Sequence, residues 1–276
     1  MSEAKRTLTT HPQLGAESRV TAYHEMMRFH HSLRTLAFSL IELLVVMSIV
    51  ALLLGILLPA LASARQRART MKGLAHLSQI GRGIHAYAHE YRGMLPIGYL
   101  DLDTTQDTNW TTLLHGYLTA SGMTNANLNP ASFLGVFQDP NAQVPGGRVH
   151  FSAHPILIPD LSSNRPIQTT TSLWLLKRTI DIVMVMDGSQ DPTHQFNAHA
   201  TAWQLDGGQI WTGWRYDLTA PDNADPIDPG PNEDTPEGAG HIRWRQVNNS
   251  ANFLYADGHA ITRRPDQITK TNVRVN

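Results

Sequence analysis

The stretch from Ala37 to Ala64 limits most what this chain can become. It reads AFSLIELLVVMSIVALLLGILLPALASA, and between Thr35 and Ala64 the only charged residue is Glu42. About twenty consecutive apolar residues suffice for a helix to cross the hydrocarbon core of a bilayer. The run therefore reads as one membrane-spanning helix with a single carboxylate near its start. A carboxylate placed there is costly to bury and is kept for a purpose, with a partner to neutralise it. A secretory signal does not fit, because its apolar segment is shorter and its small-residue cleavage site follows that segment instead of preceding it.

The entrance to the run carries Arg28, His30, His31 and Arg34, then the small Ala37, then Phe38-Ser39-Leu40-Ile41-Glu42. From about Arg34 to Ala64 the chain resembles the type IV prepilin and type II secretion pseudopilin family. The processing motif of that family is a small residue, usually Gly, followed by Phe-Ser-Leu or Phe-Thr-Leu, Ile, Glu and a long apolar run. Phe38, Glu42 and Pro59 fall where that family places them, and Ala37 in place of Gly is the departure. The resemblance implies that a membrane prepilin peptidase cuts between Ala37 and Phe38 and methylates the new amino group of Phe38. It further implies that Glu42 pairs with the terminal amine of a neighbouring subunit in a filament. Two opposite charges buried among apolar helices compensate only in the right register, so such a pair would check assembly.

The formal charge of −1 over 276 residues gives no footing for a nucleic-acid partner. With no cysteine, an exported head must be held by its core or by a bound metal. Arg65, Arg67, Arg69 and Lys72 follow the span, against Arg28 and Arg34 before it, so the positive-inside rule alone would keep the C-terminal side in the cytoplasm. The cleavage motif requires the opposite, a cytoplasmic leader and an exported head, and the motif is the more specific signal.

The chain divides on this reading into a cleaved leader at 1–37, a membrane or filament-core helix half at 38–62, an exported half of the same helix at 63–92, and an α+β head at 93–276. The leader is polar, and a start at Met26 or Met27 would give it a more usual length. Pro59 is expected to kink or locally melt the helix. Beyond it, Met71, Leu74, Leu77, Ile80, Ile84 and Tyr87 form an apolar stripe at helical spacing, while Gly73, Gly81 and Gly83 weaken the helix. The helix is expected to end between Tyr91 and Gly93 and to lay its stripe on an antiparallel sheet.

Within the head, Trp110 to Leu118 predicts a short amphipathic helix capped by Thr108 or Asn109. Phe133 to Phe137 predicts an apolar turn or edge strand, and Gln143 to Ile158 a turn leading into a strand. Arg178 to Asp187 reads as a buried strand, and Gln209 to Tyr216 and His241 to Val247 as strands in which aromatic and Arg side chains alternate. Asn252 to Ala256 and His259 to Arg263, joined by Asp257-Gly258, form the best hairpin in the sequence. His241 followed by Asn252, Asp257, Gly258 and His259 is similar to a C-terminal His-to-Asp-Gly signature in a subgroup of bacterial prepilin-like proteins, although the gap from His241 is longer here.

Asp217, Asp222, Asp225, Asp228, Glu233, Asp234 and Glu237 share an acidic, proline-rich loop at 217–240 that holds no Lys or Arg before His241. Several carboxylates on one loop suit Ca²⁺, although the spacing matches no EF-hand and a solvated excursion is the plainer reading. The fourteen His contain no His-Glu-x-x-His. His85 and His89 lie one turn apart, and His194 and His199 sit on a loop; His259, facing His241 across the hairpin, is the pair of most interest. Trp203, Trp211, Trp214 and Trp244 read equally as an aromatic surface for glycans or another subunit and as core. No Gly-x-Ser-x-Gly elbow or P-loop is present, and a thiol nucleophile is excluded.

The expected protein is a single-pass inner-membrane filament subunit and not an enzyme. Its partners would be copies of itself or other pseudopilins, the prepilin peptidase and an inner-membrane assembly platform. The alternative is a membrane-anchored protein that binds carbohydrate or Ca²⁺ and borrows a prepilin-type N-terminus for export.

Overall fold

The computed structural model describes residues 39–100, 108–118, 135–144, 149–161, 170–191, 193, 224–235, 240–273 and 275. The chain falls into two units, residues 1–56 and 57–276. Helix α1, Leu40–Glu90, begins in the first and ends in the second.

In the first unit the described residues are the N-cap of α1 and its first turns, all of them exposed. The Ser39 hydroxyl accepts from the Ile41 N–H at 3.3 Å, and the Glu42 carboxylate accepts from the Ser39 N–H at 3.0 Å. Ser-Leu-Ile-Glu is thus a capping box, which satisfies donors that a helix start otherwise leaves orphaned.

In the second unit α1 is not melted at Pro59, and the Ser63 hydroxyl donates to the Pro59 carbonyl at 3.1 Å. Residues 57–69 are exposed, and Thr70 is the first buried residue. From there the buried face is Thr70, Gly73, Leu77, Ile80, Gly81, Ile84 and Ala88, joined by Gly83. This corrects the expected stripe at its start: Leu77, Ile80 and Ile84 are core, but Met71 is 65% exposed. The glycines are the reason. A Cβ on Gly73 would stand 2.8 Å from Asn252 Nδ2, and one on Gly81 2.9 Å from Leu254 Cδ1, so the helix docks through its smallest residues. Arg92 and Gly93, both at positive φ, close the helix, and the Gly93 N–H reaches back to the Ala88 carbonyl at 2.7 Å.

Strands β1 (Tyr99–Leu100) and β2 (Thr108–Asn109) make a small antiparallel ladder. Helix α2, Trp110–Leu118, follows with the expected bounds. Asn109 is its cap, accepting from the Thr111 and Thr112 N–H groups at 2.9 and 3.2 Å. Where a turn or edge strand was expected near Phe137, a 3₁₀ turn at Gly135–Phe137 buries that ring.

The main sheet is an antiparallel meander of β3 (Phe151–Ala153), β4 (Val183–Asp187), β5 (Ala251–Tyr255) and β6 (Ala260–Arg263). Both faces are covered. Leu77, Ile80 and Ile84 of α1 share one core cluster with Met184, Val185 and Leu254. On the other face Val183, Met186, Phe253 and Tyr255 pack with Ile227, Ile242, Trp244, Ile268 and Val273, the last on the short helix α3 (Lys270–Val273). A register shift between Val183 and Val185 turns both Met184 and Val185 to the helix side.

Two expectations for strands change. The β5–β6 hairpin is present, but its connection is the four residues 256–259 and not Asp257-Gly258 alone. His241 to Val247 is not a strand; it makes isolated bridges only, Ile242 to Gly188 and Gln246 to Ser250, and residues 241–246 are all buried. Arg243 and Arg245 face inward to carboxylates, which removes the alternation a half-buried strand needs. Gln209 to Tyr216 lies outside the described residues.

Candidate functional site

Ala37 and Phe38 lie outside the described residues. Glu42 is placed, and its carboxylate closes the capping box on Ser39. That is a local partner for the charge expected to meet a neighbouring subunit's amine. Every large aliphatic residue from Leu40 to Leu58, and Leu61 after it, is exposed on its own unit.

Of the C-terminal signature, Asp257 and His259 belong to the hairpin turn. Asp257 Oδ1 accepts from the His259 N–H at 3.1 Å and from its Nδ1–H at 2.6 Å, and the imidazole stacks on Tyr255 at 4.4 Å. Gly258, at φ +94°, packs beside α1, where a Cβ would lie 3.3 Å from His85 Nε2. His241 is not across this hairpin from His259. It is buried beside Gly230, and its carbonyl accepts the N–H and the hydroxyl of Ser189 at 3.0 and 3.1 Å. Burial lowers its imidazole pKa, with Asp228 opposing.

The described part of the acidic loop is strapped to the head. Ile227 is buried and its N–H reaches the Ile268 carbonyl at 3.1 Å, while the Lys270 N–H donates to the Asp225 carbonyl at 3.0 Å. Asp228 accepts from the Gly230 N–H at 3.0 Å. Asp234 turns inward to Arg243 and Arg245, and Glu233 is exposed. Asp217 and Asp222 lie outside the described residues. Among those described, no group of three or more His, Asp or Glu is arranged to hold a metal. Trp244 is core, 2% exposed, with its indole N–H on the Pro229 carbonyl at 3.0 Å and its ring against Phe253; the other three Trp of its group lie outside the described residues.

The densest chemistry was not anticipated. Beneath the point where α1 first touches the head, Gln246 joins three segments. Its carbonyl accepts from the Thr70 hydroxyl at 2.9 Å and from Asn141 Nδ2 at 2.5 Å. Its Nε2 donates to Asp139 at 3.0 Å and to Asp187 at 2.8 Å. Two carboxyls at one end and two donors at the other fix which way this amide points. Asp187 Oδ2 also accepts from the Asn252 N–H at 2.8 Å, and the Thr262 hydroxyl holds Asn252 Oδ1 at 2.6 Å.

Arg245 closes the network from below. Its side chain lies 3.7 Å from Asp139 and 3.5 Å from Asp234, donates to Gln190 Oε1 at 3.2 Å and also reaches the Gly188 carbonyl. Arg243 sits 2.9 Å from Asp234, at an angle that is not a hydrogen bond, and donates to the Asn232 carbonyl and side chain, each at 2.6 Å. Three carboxyls therefore face two guanidiniums. Asp187 is the odd one: burial, then the nearby Asp139, push its pKa well above the ordinary range, with Arg245 opposing. A neutral Asp187 leaves two formal anions against two formal cations, which is what a dry site tolerates. Chemically this is a joint, tying the helix to both strands of the sheet's central pair at the end where Asp187 meets Asn252.

A family described as "Protein of unknown function (DUF1559)" matches residues 62–144, less than a third of the chain. It is a family of bacterial prepilin-like proteins, and the matched segment begins at the end of the apolar run and covers α1 from Ala62 through its docking part, helix α2 and the Asp139–Asn141 corner of the joint. No curated protein and no solved structure matches the chain.

Proposed function

We propose that this chain is a non-catalytic filament subunit of a type IV pilus or type II secretion-like system. It is cut between Ala37 and Phe38, methylated at Phe38, held in the inner membrane by the apolar half of α1, and exported with its leader on the cytoplasmic side. It assembles with copies of itself or with other pseudopilins through an assembly platform. The observation that supports this most is the unbroken apolar surface of α1 from Leu40 to Leu61, with Glu42 as its one acid. Such a surface requires a bilayer or other helices around it. The match of the 62–144 segment to a prepilin-like family agrees with that reading.

Two measurements test it. Intact mass and N-terminal sequencing of protein recovered from a host with a prepilin peptidase should give a mature start at N-methylated Phe38; an uncut chain would sink the processing route. For assembly, Glu42→Gln is more informative than Glu42→Ala. Gln at this position keeps the capping box with Ser39 but removes the charge. Filaments lost in both variants would support the intersubunit pair, whereas filaments kept in Glu42→Gln and lost in Glu42→Ala would reduce Glu42 to a local cap.

A further inference from the structure

The helix between Glu42 and Glu90 contains no acidic residue, yet it carries Arg65, Arg67, Arg69, Lys72 and Arg82. A surface helix ordinarily balances such cations with acids three or four residues away; this one does not. Arg65, Arg67, Arg69 and Lys72 are all exposed, and none forms an ion pair among the described residues. Arg65, Arg67 and Arg69 stand on the stretch of α1 that precedes its first buried residue, Thr70, and Lys72 follows two residues after it. Positions 65, 69 and 72 fall within a sector of about 60° at 100° per residue, whereas Arg67 lies on the other side of the helix.

Their distance from the apolar run is as informative as their grouping. A hydrocarbon core of about 30 Å takes roughly twenty helical residues, which Leu43 to Ala62 supply. Arg65 follows within one turn, and Lys72 lies about 10 Å further along the axis. The polar layer of one leaflet is about 5 to 8 Å deep, and long basic side chains reach down to it along the helix. Guanidinium also matches phosphate in geometry, as a two-pronged donor.

We propose that Arg65, Arg69 and Lys72 form a binding stripe for the phosphate headgroups of anionic lipids in the leaflet where the apolar run ends. The rival occupant is an acidic surface on a second copy. It is disfavoured because the stripe follows directly on the apolar run, within reach of the leaflet in which that run ends. The stripe rests on the reading of that run as membrane-embedded, and the test separates the two.

Full-length protein is reconstituted into vesicles of phosphatidylcholine with or without phosphatidylglycerol. Carbonate extraction reads the anchor, and spin-labelled lipids of each type read the stripe. The expected result is carbonate-resistant protein that immobilises labelled phosphatidylglycerol at least roughly fivefold over phosphatidylcholine, the gain expected for even one basic residue near an anionic surface. The preference should fall at high salt and drop severalfold in Arg65→Gln/Arg69→Gln/Lys72→Gln, leaving at most the share of Arg67, but persist in full in Arg82→Gln, whose side chain reaches Ser78 on the docked part of the helix. Resistant protein with equal affinity for both lipids overturns the stripe alone. Release by carbonate overturns the anchor and the stripe together. A preference undiminished by the triple substitution would place the contact elsewhere and also overturns it.

Discussion

Gly73 of the long helix stands over Asn252 of β5 so closely that an added Cβ would come within 2.8 Å of the amide nitrogen. The amide has little room to retreat, because its oxygen is held by Thr262 and its nitrogen lies 3.5 Å from the Thr70 carbonyl. Gly73→Ala is expected to destabilise the head by about 1–3 kcal/mol despite a gain in helix propensity of about 1 kcal/mol. Gly83 is the control. Its Cβ would meet only the half-buried Leu118 side chain at 3.0 Å, so Gly83→Ala should stay within about 1 kcal/mol of the parent. Denaturant midpoints of the two variants check both; a neutral Gly73→Ala would mean the helix does not dock as described.

Asp187 is expected to work as a neutral acid. Its folded pKa is raised, so its favourable contribution is complete below the ordinary carboxylate range and is lost as pH rises through the folded value. Asp187→Asn keeps an oxygen for Gln246 and for the Asn252 N–H while removing the ionisable group. The variant should fold, with stability equal to or above the parent's at neutral pH and a flatter decline toward alkaline pH. Asp139→Asn should do the reverse and cost about 3–5 kcal/mol, because it leaves Arg245 short of a buried counter-charge. Melting curves across pH for the three proteins decide it, and a severe loss in Asp187→Asn would show that the charged form is the one the fold uses.

These two cases show what the amino-acid order reveals and what it hides. The apolar span, the Ser39 to Glu42 start, helix α2 with its Asn109 cap and the β5–β6 hairpin are local patterns, and each is legible from neighbouring residues. The joint is not local. Thr70, Asp139, Asp187 and Gln246 come from four separated segments, and each looks like an ordinary polar residue in its own context. A faint signal existed in Asp187 and Asn252, polar residues at the end of VMVM and within ANFLY, strands otherwise apolar on both faces. The helix stripe was misplaced at Met71 for a related reason: apolarity marks what can be buried, but Gly73 and Gly81 set how closely the helix approaches and thereby which side faces in.

Gly258 tests the C-terminal signature as architecture. Its φ of +94° is poorly tolerated by any residue with a Cβ, and that Cβ would also crowd His85 at 3.3 Å. Gly258→Ala should therefore cost about 1–2 kcal/mol through backbone strain. Asp257→Asn, which can still accept from the His259 N–H, should cost less than 1 kcal/mol or so. Thermal unfolding of both variants checks the order; an Asp257→Asn loss larger than that of Gly258→Ala would point to a role for the carboxylate beyond the turn.

His154 sets the acid limit of the head. It is fully buried at the end of β3, where its Nε2–H donates to the Val273 carbonyl at 2.8 Å and its Nδ1 accepts from the Ile156 N–H at 3.1 Å. Burial lowers its pKa from 6.5 to about 4. The unfolded chain therefore takes up a proton near pH 6.5 that the folded head refuses until about pH 4. The stability that the neutral ring secures is complete above the unfolded value and drains away as pH falls between the two, by about 3 kcal/mol at the acid end. His241, also lowered by burial, adds to the same slope. His154→Gln keeps a donor and an acceptor without the titration. It should be somewhat less stable than the parent at pH 7 because its shape differs, yet lose less on acidification. Unfolding free energies at closely spaced pH values check this, and parallel curves for parent and variant would remove His154 as the source of acid sensitivity.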